Sequence, residues 1–418
     1  MLPGVLARAQ DPTLDLVRLA KLAEEPVDSS MTAAPWPPDL ANLAAVTEAM
    51  ASANSPKLCY LDPKWSSLDD WKQVARPVFR SLLGYSPEAL PVTTELVRRE
   101  QREGFTIEVI NIAATREYHI PARVLVPDRF RGRRPAVVAM HCHSGKYTAG
   151  HEKIISSPAE VATLTEFRRE TYGRPWAEAL ACRGYIVIVI DAFYFGERRL
   201  RVEEMNPARL YPEARAAFAT SQAVARGSAK WHAAVDRVCG HYEHLTAKTL
   251  FAAGGSWPGV LVWDDVRSVD YLVTRPDVDP ERIGAVGLSI GGFRTALLAA
   301  ADPRIKVASV TGWMTEFAQQ LRNHLFHHTW MVYMPGLYRA LDLPDVAGMI
   351  APGSLLVQQC QQDLLYPMSG MRGAVDKLEQ IYLKAGIPKR FHGSFYDVPH
   401  SFLPDMQDEA FSWLDRWL

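Results

Sequence analysis

Gly287-Leu288-Ser289-Ile290-Gly291-Gly292 is the stretch that decides the fold, because of what flanks it. Arg282 to Val286 before it reads as a strand, and Phe293 to Ala301 after it reads as a helix. A G-x-S-x-G serine between a strand and a helix sits on a turn so tight that the residues two places away must be small. Gly287 and Gly291 meet that demand. Such a turn lifts the Ser289 hydroxyl above a sheet at a helix N-terminus, where backbone N–H groups and the helix dipole favour a developing negative charge. The reading is a nucleophile; a plain helix-capping serine is the alternative.

Working outward, the chain supplies the sheet that this turn requires. Short apolar runs recur at Ala136 to Met140, Ile186 to Ile190, Ile283 to Val286, Val307 to Val310 and Leu355 to Val357. Runs apolar on both faces belong to parallel strands covered by helices on each side. Helical patterns separate them at Trp176 to Arg183, Val262 to Thr274, Gly292 to Ala301 and Gly370 to Ala385. Upstream, Glu95 to Gln101, Phe105 to Ile110 and His119 to Val126 read as antiparallel strands divided by turns. The predicted fold is therefore α/β, a mostly parallel doubly wound sheet.

Two segments do not fit the alternation. Residues 1–94 read as a helical N-terminal extension, with a stiff break at Pro35, Pro37 and Pro38. Apolar spacing suggests one helix through Leu14, Val17, Leu19 and Leu22, and another through Trp71, Val74, Val78, Leu82 and Leu83. Residues 192–261 interrupt the catalytic region 95–418 after the strand ending at Asp191. A structureless loop that long is improbable. Helical stretches at Pro212 to Arg226 and Lys230 to Leu245 make it an insertion, expected as a lid or cap where such sheets bind ligands.

Composition narrows the function. With 46 basic and 47 acidic side chains among 418 residues, the net charge is −1. That argues against a nucleic-acid binder relying on bulk positive charge. No apolar run approaches the roughly 18 residues of a membrane helix. The five cysteines form no Cys-x-x-Cys pair, which removes zinc-ribbon readings and fits a reducing compartment. A cytoplasmic location is the default expectation, and self-association into a homo-oligomer stays open.

A serine nucleophile needs a base, and the base needs an orienting acid. His400 follows the last strand, Arg390 to Tyr396, and precedes the final helix, so a loop can carry its ring to Ser289. The acid is expected after the Leu355 to Val357 strand, where Asp363 stands; Asp397 is the rival. For the oxyanion, the N–H of Ile290 is one candidate donor. The N–H of His143, in the loop His141-Cys142-His143-Ser144-Gly145-Lys146, is the second. His141, His143 and His151 have an alternative reading as metal ligands, but the triad explains the site with no metal and no cofactor. Trp257, Trp313 and His141 are the candidate substrate-pocket residues. The cluster His324-Leu325-Phe326-His327-His328-Thr329-Trp330 is expected to line a pocket or an interface.

With these residues in place, the sequence resembles the α/β-hydrolase superfamily, and within it the acetyl xylan esterase-like and dienelactone-hydrolase-like serine hydrolases. Asp191-Ala192-Phe193-Tyr194-Phe195-Gly196-Glu197-Arg198 resembles their D-x-x-G-F-G-E-R segment. Trp263 to Leu272 resembles the helix before the nucleophile strand, and Arg275 to Gly284 the approach to it. The likeness covers about residues 95 to 418. It implies a serine hydrolase of carboxylic esters acting through Ser289, His400 and Asp363 on a small-molecule ester, such as a small acyl group on a sugar or alcohol. Another acyl bond (lactone, amide or C–C) and a non-catalytic binding protein are the alternatives. Two departures stand out. The oxyanion loop reads His-Cys-His-Ser-Gly where relatives usually have His-Gly-x-Gly-Gly, and no glycine precedes Asp363. Glu197 and Arg198 are expected to brace the base of the insertion, with Asp264, Asp265 and Arg267 as pairing residues of the helix beside it.

Overall fold

A computed structural model describes residues 38–128, 132–158 and 160–418. The helix expected through Leu14 to Leu22 lies outside the described residues. The centre is one nine-stranded sheet in the order β1-β2-β3-β5-β4-β6-β7-β8-β9. Its strands are β1 Thr94–Gln101, β2 Phe105–Ala113, β3 His119–Pro127, β4 Arg134–Met140, β5 Ile186–Ile190, β6 Val278–Leu288, β7 Ile305–Thr311, β8 Ser354–Cys360 and β9 Phe391–Tyr396. The pairs β1/β2, β2/β3 and β3/β5 are antiparallel; all others are parallel. β5 and β8 are buried at every position, as strands covered on both faces must be. β1 is the exposed edge, and Arg98, Arg99 and Glu100 on it discourage pairing with another chain.

Strand order reverses beside β4: β5 lies on one side of it and β6 on the other. The crevice at the carboxyl ends of strands around such a reversal is where doubly wound sheets bind ligands. Ser289 follows β6, His143 follows β4, Asp363 follows β8 and His400 follows β9, so the sheet delivers all four to one rim.

The stretch before β1 packs into the same core rather than forming a separate unit. Helix Leu68–Leu83 starts at Ser67, whose side chain accepts the Asp70 N–H, and ends at Gly84 in a left-handed conformation. Trp71, Ala75, Phe79 and Leu83, four apart, face inward. From its outer side Arg76 donates to the carbonyl of Ala300, and Arg80 to that of Ala301. Two cations thus cap the negative end of helix Ile290–Ala301, whose other end follows the Ser289 turn.

The insertion holds helices Pro212–Ala223 and Ala229–Ala252. The first is shorter than its apolar pattern suggested, and the second runs a further seven residues past Leu245. The next helix, expected near Val262, begins at Trp257, because Ser256 caps it through the Gly259 N–H and Pro258 suits its first turn. The insertion's base is fastened by ions. Arg198 reaches Asp264 at 2.5 Å with both groups buried, and Arg123 pairs with Glu197. Asp265 takes a two-pronged bond from buried Arg294, locking helix Trp257–Thr274 to helix Ile290–Ala301. Arg267 pairs with Asp270 at 2.7 Å. Among the described residues no helix is long and apolar enough to cross a membrane.

Candidate active site

Ser289 occupies the turn between β6 and helix Ile290–Ala301 with φ 61° and ψ −124°, a conformation that costs energy for a residue with a side chain. The surroundings leave it no alternative. A Cβ on Gly287 would stand 2.4 Å from the Gly291 carbonyl carbon, and one on Gly291 would stand 2.4 Å from the Met140 carbonyl oxygen. The two glycines are therefore required by close backbone approach. The Ser289 N–H donates to the Thr311 carbonyl at 2.9 Å, and its own carbonyl accepts from Phe293. Ile290 opens the helix, so its N–H has no partner within the helix.

His400 lies between β9 and the last helix, Pro404–Trp417. Its Nδ1 is 2.5 Å from Oδ2 of Asp363. Asp363 is buried, and its other oxygen accepts the Leu365 N–H at 2.9 Å. Both carboxylate oxygens are thus engaged, and the ring is held with Nε2 left to act. Gly312 permits this placement: even a Cβ there would come within 3.3 Å of the ring. Asp397 is exposed and bonded to Gln362 instead, so burial and aim separate the two acids.

Ser289, Ile290, His143 and His400 line one cleft of about 260 Å³. Trp313, His327, His328, Val332, Leu365 and Tyr366 form its other walls. His327, His328 and Thr329 of the histidine-rich segment thus line the cleft. His328 donates from Nε2 to the Leu365 carbonyl at 2.9 Å, and burial pulls its pKa down, favouring the neutral ring.

Two expected pocket residues are elsewhere. Trp257 is fully buried against Phe193 and Tyr194, because it opens the helix that closes the insertion and faces the core. His141 is also fully buried. Its Nε2 accepts the Ala192 N–H at 3.1 Å and its Nδ1 donates to the Cys142 carbonyl at 2.9 Å. Burial, then the nearby charges of Lys153 and Arg294, hold its pKa well down. It ties the loop to the start of the insertion and is not among the residues lining the cleft. None of residues 192–261 lines the cleft.

What the insertion does contribute is Glu243, from the middle of helix Ala229–Ala252. Its carboxylate accepts from His143 Nε2 at 2.7 Å, Tyr147 Oη at 2.7 Å, Thr329 Oγ1 at 2.8 Å and the Trp330 N–H at 3.2 Å. Burial alone would raise its pKa, but the donors from His143, Tyr147 and Thr329 outweigh burial and hold it low. Glu243 therefore joins the insertion, the His141–Lys146 loop and the histidine-rich segment. Sequence reading overlooked it, although a glutamate beside Cys239, Tyr242 and Ala247 on a buried helical stripe was the available signal.

The three histidines with a metal alternative do not converge on one point. His141 and His143 have both ring nitrogens engaged as described, the latter accepting the Gly145 N–H on Nδ1. His151 lies beside Glu152 and Asp191, with the donor atoms of the three within 4.8 Å of one another. Asp191 already accepts the His151 ring, the His151 N–H and the Glu197 N–H, which is the work of a buried structural carboxylate.

A serine on a strand-to-helix turn at the reversal of a mostly parallel sheet, with a histidine–aspartate pair on the later loops, defines the architecture. The chain has the α/β-hydrolase fold. Solved structures with this fold are similar along most of its length. A candidate acetyl xylan esterase of Bacteroides fragilis NCTC 9343 matches with a TM-score of 0.61 at 15% identity, over 84% of this chain and 81% of that one. The glucuronoyl esterase of Solibacter usitatus matches with a TM-score of 0.57 at 13% identity, over 86% and 97%. In sequence, the chain is 25% identical over 350 residues to YtaP of Bacillus subtilis (strain 168), named as a candidate hydrolase, covering 82% of this chain and 98% of that protein. No family model matches. Along the chain Ser289, Asp363 and His400 follow β6, β8 and β9 in that order.

Proposed function

We propose that the protein is a serine hydrolase of carboxylic esters, working through Ser289, His400 and Asp363. The observation that carries this is the His400–Asp363 contact at 2.5 Å on the rim of the cleft that Ser289 lines. Asp363 holds the proton on Nδ1, which leaves Nε2 as the base. His400 takes the Ser289 proton as Oγ attacks the ester carbonyl, and the tetrahedral oxyanion forms against backbone N–H groups of Ile290 and His143. His400 returns the proton to the departing alcohol. Water, deprotonated by the same ring, then releases the acid and restores Ser289.

The size of the cleft supports a small acyl group. About 260 Å³ walled by Trp313, Val332, Leu365 and Tyr366 leaves modest room beyond the reacting carbonyl. The similar structures include enzymes named for acetyl xylan, where the sugar is the leaving alcohol, and for glucuronoyl esters, where it is the acyl part, which together favour a carbohydrate ester. The test is fluorophosphonate labelling with peptide mapping, beside hydrolysis of p-nitrophenyl acetate. Adduct on Ser289 and loss of turnover in Ser289→Ala are expected. Adduct elsewhere, or full activity in that variant, would overturn the reading.

A further inference from the structure

Lys153 is fully buried, and no step of the proposed reaction uses it. It ends the short turn His151–Lys153. Its Nζ donates to the carbonyl of Cys142 at 2.9 Å and to that of His143 at 2.9 Å. The ammonium also lies over the Phe195 ring, 4.3 Å from the centroid. A trans peptide carries its C=O and its N–H on opposite edges. Drawing the Cys142 carbonyl toward Lys153 therefore turns the His143 N–H the other way. Drawing the His143 carbonyl does the same for the Ser144 N–H. Both His143 and Ser144 line the cleft that holds Ser289.

We propose that Lys153 is the positioning residue of the oxyanion site: by holding two successive carbonyls it aims the N–H groups of His143 and Ser144 into the cleft, opposite the N–H of Ile290. This rests on the ester-hydrolase reading and deepens it.

The sequence of the loop explains why a clamp is needed. Among residues 141–145 only Gly145 is a glycine, yet Ser144 takes φ 55°, a left-handed conformation that a residue with a side chain adopts at a cost. Something must hold it there. The two bonds from Lys153 act there together with the Ser144 hydroxyl and the Lys146 N–H, which also donate to the His143 carbonyl, and the His141 ring adds a second donor to the Cys142 carbonyl. Glu243 steadies the His143 side chain from the opposite direction. A buried lysine with one carbonyl to serve would be poorly compensated; two carbonyls and an aromatic face account for its burial.

The experiment compares wild type, Ser289→Ala and Lys153→Met on p-nitrophenyl acetate, with inhibition by a trifluoromethyl ketone that binds as a tetrahedral oxyanion adduct. Loss of turnover in Ser289→Ala first establishes the underlying reading independently. Lys153→Met is then expected to lower kcat roughly 10- to 1,000-fold, by analogy with losing an oxyanion donor, with KM within about threefold. Ketone affinity falls with kcat. A kcat within twofold of wild type, or an unchanged ketone affinity beside a lowered kcat, overturns the proposal while leaving the nucleophile assignment intact. Should Lys153→Met fail to fold, Lys153→Gln, which keeps a donor near the loop, decides on the same two readouts: paired smaller losses support the clamp, and unchanged values overturn it.

Discussion

Nδ1 of His400 and Oδ2 of Asp363 are 2.5 Å apart, although 37 residues separate them in sequence. The contact exists because β8 and β9 are parallel neighbours, so the loops leaving them emerge on the same rim. Asp363→Asn keeps the shape but favours the wrong ring tautomer. It is expected to lower kcat roughly 10³- to 10⁴-fold. Asp397→Asn, altering an exposed group bonded only to Gln362, is expected to leave kcat within about twofold. Steady-state kinetics on both variants checks the assignment of the acid.

Glu243 links pH to stability. Its donors hold its folded pKa below the ordinary glutamate value. A group of that kind stabilises the fold at pH above its unfolded value, and the contribution fades as pH falls through the folded value. Glu243→Gln is therefore expected to be less stable than wild type by about 1–3 kcal/mol at neutral pH. The gap should narrow steadily below pH about 4.5, read by urea unfolding across the range. A gap that stays constant down to pH about 3 would contradict the ionised, four-donor carboxylate.

Arg198 and Asp264 form a buried pair, with Asp264 also accepting from Tyr118 Oη at 3.0 Å. Removing one partner strands the other charge. Arg198→Met is expected to cost about 3–5 kcal/mol, whereas Arg198→Met with Asp264→Leu, which removes both charges, costs less than the single change. Denaturant midpoints of the two proteins measure this coupling directly.

The glycines of the chain divide by what surrounds them. Gly291→Ala places a Cβ on backbone at 2.4 Å, so the variant is expected to lose well over 3 kcal/mol or fail to accumulate as soluble protein. Gly240, exposed inside helix Ala229–Ala252, meets nothing closer than 3.6 Å. Gly240→Ala should instead stabilise by roughly 0.5–1 kcal/mol through the helix preference alone. Thermal melts of the pair separate the two causes.

Local chemistry made much of this legible. Apolar runs located the inner strands β4 to β8, because a strand covered on both faces must be apolar throughout, and alternation between turns located β1 to β3. The Gly287-x-Ser289-x-Gly291 turn was readable because close backbone approach tolerates only glycine there. Helix starts were less legible, as at Trp257, where a Ser256 cap rather than apolar spacing sets the boundary.

By itself, then, the sequence determined the sheet, the turn that presents Ser289 and the loops that carry Asp363 and His400, since each follows from neighbours along the chain. Tertiary structure alone decided which groups meet. It sent Trp257 and His141 into the core, brought Glu243 to His143 across 100 residues and buried Lys153 against the Cys142 and His143 carbonyls. The physical reason is that a buried charge must find donors or acceptors wherever the folded chain places them, and no local pattern records that partnership.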